Sequence, residues 1–122
     1  ILGATMAVTC EAFALADRLG LDREAMYDVA STSSGQSWSL TTYCPAPGVG
    51  PASPADNGYA PGFAAELMRK DLDLARQAAE AVGAPTPLGD AALREYARFV
   101  EEGGGRGRDF SALLPQLAET DR

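Results

Sequence analysis

The first nineteen residues, Ile1–Leu19, limit most strongly how this chain can fold. They are apolar on almost every side of a helix, and the charged residues among them are Glu11, Asp17 and Arg18. A helix that is apolar nearly all round must be covered by neighbours on several faces. We therefore expect a central helix here, ended by Gly20 in a left-handed conformation.

The rest of the sequence also predicts helices. No segment alternates between apolar and polar residues with the period of two that is typical of a half-buried strand. Prolines, glycines and capping residues divide the chain into helical segments. The predicted helices are residues 1–19, 22–30, 63–82 and 87–102, a last helix capped by Asp109 or Ser111, and a short helical turn at Trp38. We expect a compact all-α domain of about five helices and one long loop.

That loop runs from Thr42 to Pro61 and contains five of the eight prolines. It is too long to be a simple connection in a compact domain. Either it is an ordered loop packed on the core, or it is a flexible linker between two domains. We favour the ordered loop, because the residues after Pro61 continue as one more set of helices without a new composition.

Composition excludes several classes of protein. With 122 residues the chain is one domain, too short for a nucleotide-binding domain plus a substrate domain. A net charge of −7 disfavours a nucleic-acid partner, so any attraction of anions must be local. Two isolated cysteines without histidine indicate neither a zinc site nor a disulfide framework, and no segment is apolar enough to span a membrane. We expect a cytoplasmic protein without a metal site.

The segment Gly62–Ala75 contains two adjacent charged residues, Lys70 and Asp71, near the middle of a predicted helix. Neighbouring residues lie about 100° apart on a helix and do not face each other. Lys70 and Asp71 either belong to a solvated helix flank, or Lys70 is a fixed cation for an anionic ligand with Asp71 beside it. The apolar residues predicted to form the buried face of this helix are Phe63, Leu67, Leu74, Ala75 and Ala78.

A polar run, Ser31–Leu40, contains one large aromatic residue, Trp38, and Tyr43 follows five residues later. Serine and threonine side chains compete for backbone hydrogen bonds, which favours an irregular segment. Loops of this kind often line binding sites. Trp38 is therefore either a binding-site residue or an apolar plug beneath the loop.

Several motifs resemble those of the β-hydroxyacid dehydrogenases. Phe63 is followed seven residues later by Lys-Asp-Leu-x-Leu-Ala, a pattern similar to the family's carboxy-terminal signature. A Ser-Ser-Gly-x-x-Trp segment (33–38), Tyr43, a Pro-x-Pro-Gly loop (45–48) and an ending like Asp109-Phe110-Ser111 occur in the family's order. The Ser-Ser-Gly and Pro-x-Pro-Gly-Val motifs are most similar to the 3-hydroxyisobutyrate subgroup.

The resemblance implies that residues 1–122 form the C-terminal helical substrate and oligomerisation domain of an NAD- or NADP-dependent 3-hydroxy acid dehydrogenase. It implies that Lys70 contacts the cofactor. Residues bordering the substrate and nicotinamide would be Trp38, Tyr43, Phe63 and Asp71. The family's catalytic lysine lies in a motif that should precede Ile1, so we expect no catalytic residue in this chain and a dinucleotide-binding domain outside it.

A second hypothesis is a stand-alone helical interaction module without catalysis, in which Lys70 and Trp38 have structural roles. Both hypotheses predict self-association, since an apolar first helix needs more cover than a small domain provides. The dehydrogenase hypothesis also predicts that the protein binds a small hydroxy-acid substrate. It is consistent with either a homodimer or a homotetramer.

Overall fold

The computed structural model describes residues 1–121. Within that range it has no strand, apart from an isolated antiparallel bridge between Ala64 and Asp109. The α-helices are α1 (Leu2–Arg18), α2 (Arg23–Ser31), α3 (Trp38–Thr41), α4 (Ala65–Val82), α5 (Pro87–Glu101) and α6 (Leu113–Glu119), with two 3₁₀ turns at Pro54–Asn57 and Phe110–Ala112. The expected all-α fold is confirmed.

Helix α1 is central, as predicted. It contacts α2, α3, α5 and α6, and its residues Met6, Cys10 and Phe13 are completely buried. Gly20 follows with a φ of +73°, a left-handed conformation that a residue without a Cβ adopts at little cost. One side of the helix is not covered, however, because Val8 and Leu15 are exposed.

Helices α4 and α5 pack side by side, but the predicted buried face of α4 is wrong. Leu67 and Leu74 are 43% and 54% exposed, Ala75 and Ala78 are also exposed, and Phe63 precedes the helix. The face that enters the core consists of Ala65, Met68, Leu72 and Ala79. Both sets have helical spacing, so periodicity alone could not distinguish them.

The long loop between α3 and α4 is ordered against the core, as favoured above. Its residues Cys44, Ala46, Val49, Ala55 and Tyr59 are buried. The Ser53 hydroxyl donates to the Cys44 carbonyl over 2.7 Å, and the Tyr59 hydroxyl donates to the Pro45 carbonyl over the same distance. The loop therefore holds the end of α3 at a fixed position relative to the start of α4.

Among residues 1–121, no helix is both long and apolar enough to cross a membrane. The same residues contain no cluster of three or more side chains suited to binding a metal ion.

Candidate substrate and cofactor site

Three of the residues predicted at the site belong to one continuous group of aromatic rings that also includes Phe110. The rings of Trp38 and Tyr43 are stacked, with centroids 5.2 Å apart and planes 23° apart. Tyr43 and Phe63 in turn contact Phe110, with centroid distances of 5.2 and 5.7 Å. We call these four residues, Trp38, Tyr43, Phe63 and Phe110, the aromatic cluster.

Trp38 is the outermost ring of the aromatic cluster. It opens the short helix α3, whose first turn is capped by Ser37, where the side chain accepts a hydrogen bond from the Leu40 N–H at 3.3 Å. Trp38 remains 53% exposed. It is therefore not a plug beneath the loop, and a broad apolar surface is open to solvent at this point.

A buried carboxylate, Asp109, fixes the inner side of the aromatic cluster. Its Oδ1 accepts hydrogen bonds from the Tyr43 hydroxyl at 2.7 Å and from the backbone N–H groups of Gly62 and Phe63 at 3.0 Å each. Its Oδ2 accepts from the N–H of Ser111 at 3.1 Å and from the Ser111 hydroxyl. The carboxylate, which has no exposed surface, is thus satisfied by five donors.

The backbone around Phe63 is held to the same segment. The Phe110 N–H donates to the Phe63 carbonyl at 2.8 Å, and the Ala65 N–H donates to the Arg108 carbonyl at 2.9 Å. Two strand-like bonds of this kind fix the direction in which the chain enters α4. The position of Phe63 is consequently set by backbone contacts and not by helix periodicity.

The Tyr43 hydroxyl is committed to this network. Burial, followed by the hydrogen bond to the Asp109 carboxylate, raises the pKa of Tyr43 well above its ordinary value of 10. Tyr43 therefore stays protonated at neutral pH, and its one proton points at Asp109. It is poorly suited to exchange a proton with a ligand.

Lys70 and Asp71 lie on α4, the helix that begins shortly after Phe63 of the aromatic cluster. Both are exposed on α4, and Lys70 is about 9 Å along the helix axis from the N-cap residue Ala64. Lys70 lines a groove of about 470 Å³ between α4 and α5. The residues that line this groove include neither Asp71 nor a member of the aromatic cluster.

The groove between α4 and α5 is cationic although the chain is acidic. It contains five of the chain's ten basic residues, namely Arg69, Lys70, Arg76, Arg94 and Arg106, together with Glu66 and Asp73. Arg69 is paired with Glu101 at 2.6 Å, and Arg76 with Asp73 at 2.8 Å. Lys70, the only lysine of the sequence, takes part in none of the ion pairs formed among residues 1–121.

This donor set fits an anionic group such as the phosphates of a dinucleotide, because ammonium and guanidinium groups pair with phosphate oxygens. The fit is partial. A dinucleotide fold grips its pyrophosphate with a glycine-rich loop after a strand, and residues 1–121 contain no strand. The groove can therefore form only one wall of such a site.

Sequence reasoning missed the connecting role of Asp109. The residue was predicted as a possible helix cap, and its side chain does cap the 3₁₀ turn at Phe110–Ala112 by accepting from Ser111. Its contacts with Tyr43 and Phe63 span 66 and 46 residues. No local pattern in the sequence indicates such contacts.

Three comparisons with known proteins place the chain in a family. A family model described as NAD-binding of NADP-dependent 3-hydroxyisobutyrate dehydrogenase matches residues 1–117. A probable 3-hydroxyisobutyrate dehydrogenase of Mycobacterium tuberculosis is 42% identical over 96% of this chain and 39% of the relative, and a 3-hydroxyisobutyrate dehydrogenase of Pseudomonas aeruginosa is 46% identical over 93% of this chain and 38% of the relative.

A solved structure of 3-hydroxyisobutyrate dehydrogenase from Mycobacterium tuberculosis with L-serine superposes with a TM-score of 0.89 at 42% identity, covering 95% of this chain and 39% of that one. The chain thus spans about two fifths of the length of the relatives that it matches. The sequence motifs, the all-α fold and the match over residues 1–117 all support the same family assignment. The chain belongs to the family described as NAD-binding of NADP-dependent 3-hydroxyisobutyrate dehydrogenase.

Proposed function

We propose that residues 1–122 are the C-terminal helical domain of an oxidoreductase that transfers a hydride between a 3-hydroxy acid and NAD or NADP. A dinucleotide-binding domain outside this chain would hold most of the cofactor. The observation that carries the proposal is the aromatic cluster, in which Trp38 is exposed while Asp109 fixes the rings beneath it. A rigid, half-exposed aromatic surface is what a wall of a small-molecule site requires.

In this proposal Lys70 binds the cofactor as a point charge. The absence of an ion pair with any of residues 1–121 leaves its ammonium free to pair with an anionic or polar group across the cleft. Arg94 and Arg106 line the same groove and raise the local positive potential. Their presence offsets the repulsion that a chain of net charge −7 would exert on a dinucleotide.

Trp38 and Phe63 would line the substrate pocket and exclude water from it, with Tyr43 behind Trp38. Asp71 is assigned to the same pocket by the family resemblance alone. NAD or NADP, when bound, supplies the hydride acceptor. The hydroxyl proton requires a group within hydrogen-bond reach of the substrate. Tyr43 is unsuitable because its proton is held by Asp109, so we assign that role to a lysine outside this chain, as the family resemblance implies.

The substrate class is a small 3-hydroxy acid such as 3-hydroxyisobutyrate. The names of the relatives point to that acid, and L-serine, present in the solved M. tuberculosis structure, shares its carboxylate and C3 hydroxyl. Oxidation at C3 would give a semialdehyde. The pocket must therefore accept a carboxylate at one end and leave C3 facing the nicotinamide.

We also propose that the intact enzyme is a dimer or a tetramer, located in the cytoplasm. A second groove, which is mainly apolar and has a volume of about 450 Å³, lies between α1 and α5 and includes Val8 and the 77% exposed Leu88. Burial of such a surface against another subunit would give the cover that the first helix lacks. The two cysteines are buried and free, which is compatible with a reducing compartment.

The test of the proposal is the activity of the purified full-length protein. Reduction of NAD or NADP is followed with 3-hydroxyisobutyrate and with L-serine, and lactate, a 2-hydroxy acid, is the control substrate. We expect turnover of at least one 3-hydroxy acid and none of lactate. Folded protein that oxidises neither 3-hydroxy acid with either cofactor would overturn the proposal and favour the stand-alone interaction module.

A further inference from the structure

We infer that Asp109 is a positioning residue of the substrate pocket, which sets the orientation of Trp38 through Tyr43. The inference rests on the proposed function, since it assumes that Trp38 borders the substrate. Asp109 does not itself contact a ligand, because it is completely buried and both of its oxygens are occupied by donors.

The contacts form a continuous path from the core to the surface. Ser111 and the backbone at Gly62 and Phe63 fix the Asp109 carboxylate. The carboxylate fixes the Tyr43 hydroxyl at 2.7 Å, and the Tyr43 ring stacks on Trp38. Tyr43 thus has a polar anchor at one end and presents its ring to Trp38.

Trp38 needs this support because its own helix is too short to hold it. Helix α3 has four residues, and a single turn is not stable by itself. Because Trp38 is 53% exposed, few other neighbours fix its rotamer. Its ring stacks on that of Tyr43, so a displaced Tyr43 leaves the tryptophan free to reorient.

An ionised carboxylate suits this position better than a neutral side chain. All five groups around Asp109 are donors, and an amide in place of the carboxylate would turn its NH₂ group towards one set of them. The donors that face the NH₂ group, which now bond either Oδ1 or Oδ2, would then have no acceptor. Asp109→Asn should therefore disturb the same path as Tyr43→Phe, but more severely.

The experiment uses the full-length enzyme labelled with 5-fluorotryptophan. The ¹⁹F resonance of Trp38 is assigned by its absence from Trp38→Phe. In Tyr43→Phe we expect this resonance to shift or broaden, and kcat/KM for the hydroxy acid to fall about ten- to a hundredfold, with cofactor KM unchanged. Asp109→Asn should move the resonance in the same way if it folds, and Tyr43→Phe tests the inference if it does not.

The matched control is Tyr96→Phe, which removes another tyrosine hydroxyl of the core. The Tyr96 hydroxyl donates to the Phe110 carbonyl at 3.2 Å and makes no hydrogen bond to Asp109. We expect this variant to lose stability while the Trp38 resonance and the hydroxy-acid kinetics stay as in the wild type. A merely structural role for the Tyr43 hydroxyl would instead give the two variants the same kinetics.

The possible failures are distinguishable. An unchanged Trp38 resonance and unchanged kcat/KM in Tyr43→Phe would overturn the positioning role. If Tyr43→Phe moves the resonance but both it and Trp38→Ala oxidise the hydroxy acid as the wild type does, the inferred contribution to the reaction is wrong, and with it the place of Trp38 in the substrate pocket. Loss of activity in Trp38→Ala alone would retain the pocket and contradict the role of Asp109.

Discussion

The carboxylate of Asp109 accepts a hydrogen bond of 2.7 Å from the hydroxyl of Tyr43, which lies 66 residues earlier in the chain. Because a hydrogen bond to a charged group stabilises a protein by about 1.5 to 3 kcal/mol, Tyr43→Phe should lower the free energy of unfolding by about that amount. Tyr96→Phe, which loses a bond to a neutral carbonyl, should lose about 0.5 to 1.5 kcal/mol. Chemical denaturation measures both, and a smaller loss for Tyr43 than for Tyr96 would contradict the ranking.

The same contact predicts how stability depends on alkaline pH. Folding raises the pKa of Tyr43 above its ordinary value of 10, so its contribution is complete below pH 10 and is lost as pH rises towards the folded pKa. The free energy of unfolding of the wild type should thus approach that of Tyr43→Phe as the pH rises above 10. The pKa values of Tyr59 and Tyr96 are raised in both proteins, so their effect cancels in the difference between the two free energies of unfolding. A constant difference between the two proteins from pH 8 to pH 11 would count against this prediction.

The hydrogen bonds of Asp56 predict that the free energy of unfolding also depends on pH in acid. Its Oδ1 accepts from the Gly48 N–H at 2.6 Å and its Oδ2 from the Ser53 N–H at 2.9 Å, and these bonds lower the pKa of Asp56 below its ordinary value of 3.8. Its contribution is present above pH 3.8 and is lost as pH falls through the folded pKa. Because Asp56 is exposed, Asp56→Ala should lower the free energy of unfolding at neutral pH by only about 0.5 kcal/mol.

Hydrogen exchange checks the prediction for Asp56. The amides of Gly48 and Ser53 should exchange faster in Asp56→Ala, whereas those of α1 should be little affected. Asp28→Ala, which removes an exposed carboxylate on α2, is the control. Equal protection of Gly48 and Ser53 in both variants would show that Asp56 does not hold the long loop.

The exposed apolar side of α1 predicts self-association. A charge at Val8, as in Val8→Asp, should weaken the proposed subunit contact, because an unpaired carboxylate is costly to bury. Val29→Asp places the same charge on the exposed side of α2 as a control. Sedimentation should show the wild type and Val29→Asp as oligomers and Val8→Asp as a smaller species. A wild type that is monomeric at high concentration would contradict the prediction.

Much of the fold could be predicted from sequence because its signals are local. The N-cap Asp22 accepts from the Ala25 N–H, Gly83 ends α4 with a φ of +68°, and Pro87 begins α5. Each depends on neighbouring residues only. The central position of α1 followed from its apolar composition, which is also a property of one segment.

The errors arose where tertiary contacts decide. Helix α4 has two apolar stripes of helical spacing, and the core selected Met68 and Leu72 over Leu67 and Leu74. At the site, the residue types of Trp38 and Lys70 left a ligand-binding and a structural role open, and only the family resemblance implied ligand contacts. Sequence could not show that Lys70 lines a groove between α4 and α5 that includes no residue of the aromatic cluster. Nor could it show that Asp109 joins Tyr43 to Phe63, because those partners are distant in the chain.

The central claim, that this domain contributes a cofactor-binding cation, is tested most directly by the steady-state kinetics of full-length Lys70→Ala. A lost charged hydrogen bond of about 1.5 to 3 kcal/mol should raise the cofactor KM about ten- to a hundredfold, with kcat largely retained. Arg98→Ala, an exposed cation on α5 outside the groove, should leave the cofactor KM unchanged. An unchanged cofactor KM in Lys70→Ala would contradict the account: with kcat collapsed, Lys70 acts in the chemical step, and with kcat retained, it belongs to a solvated helix flank.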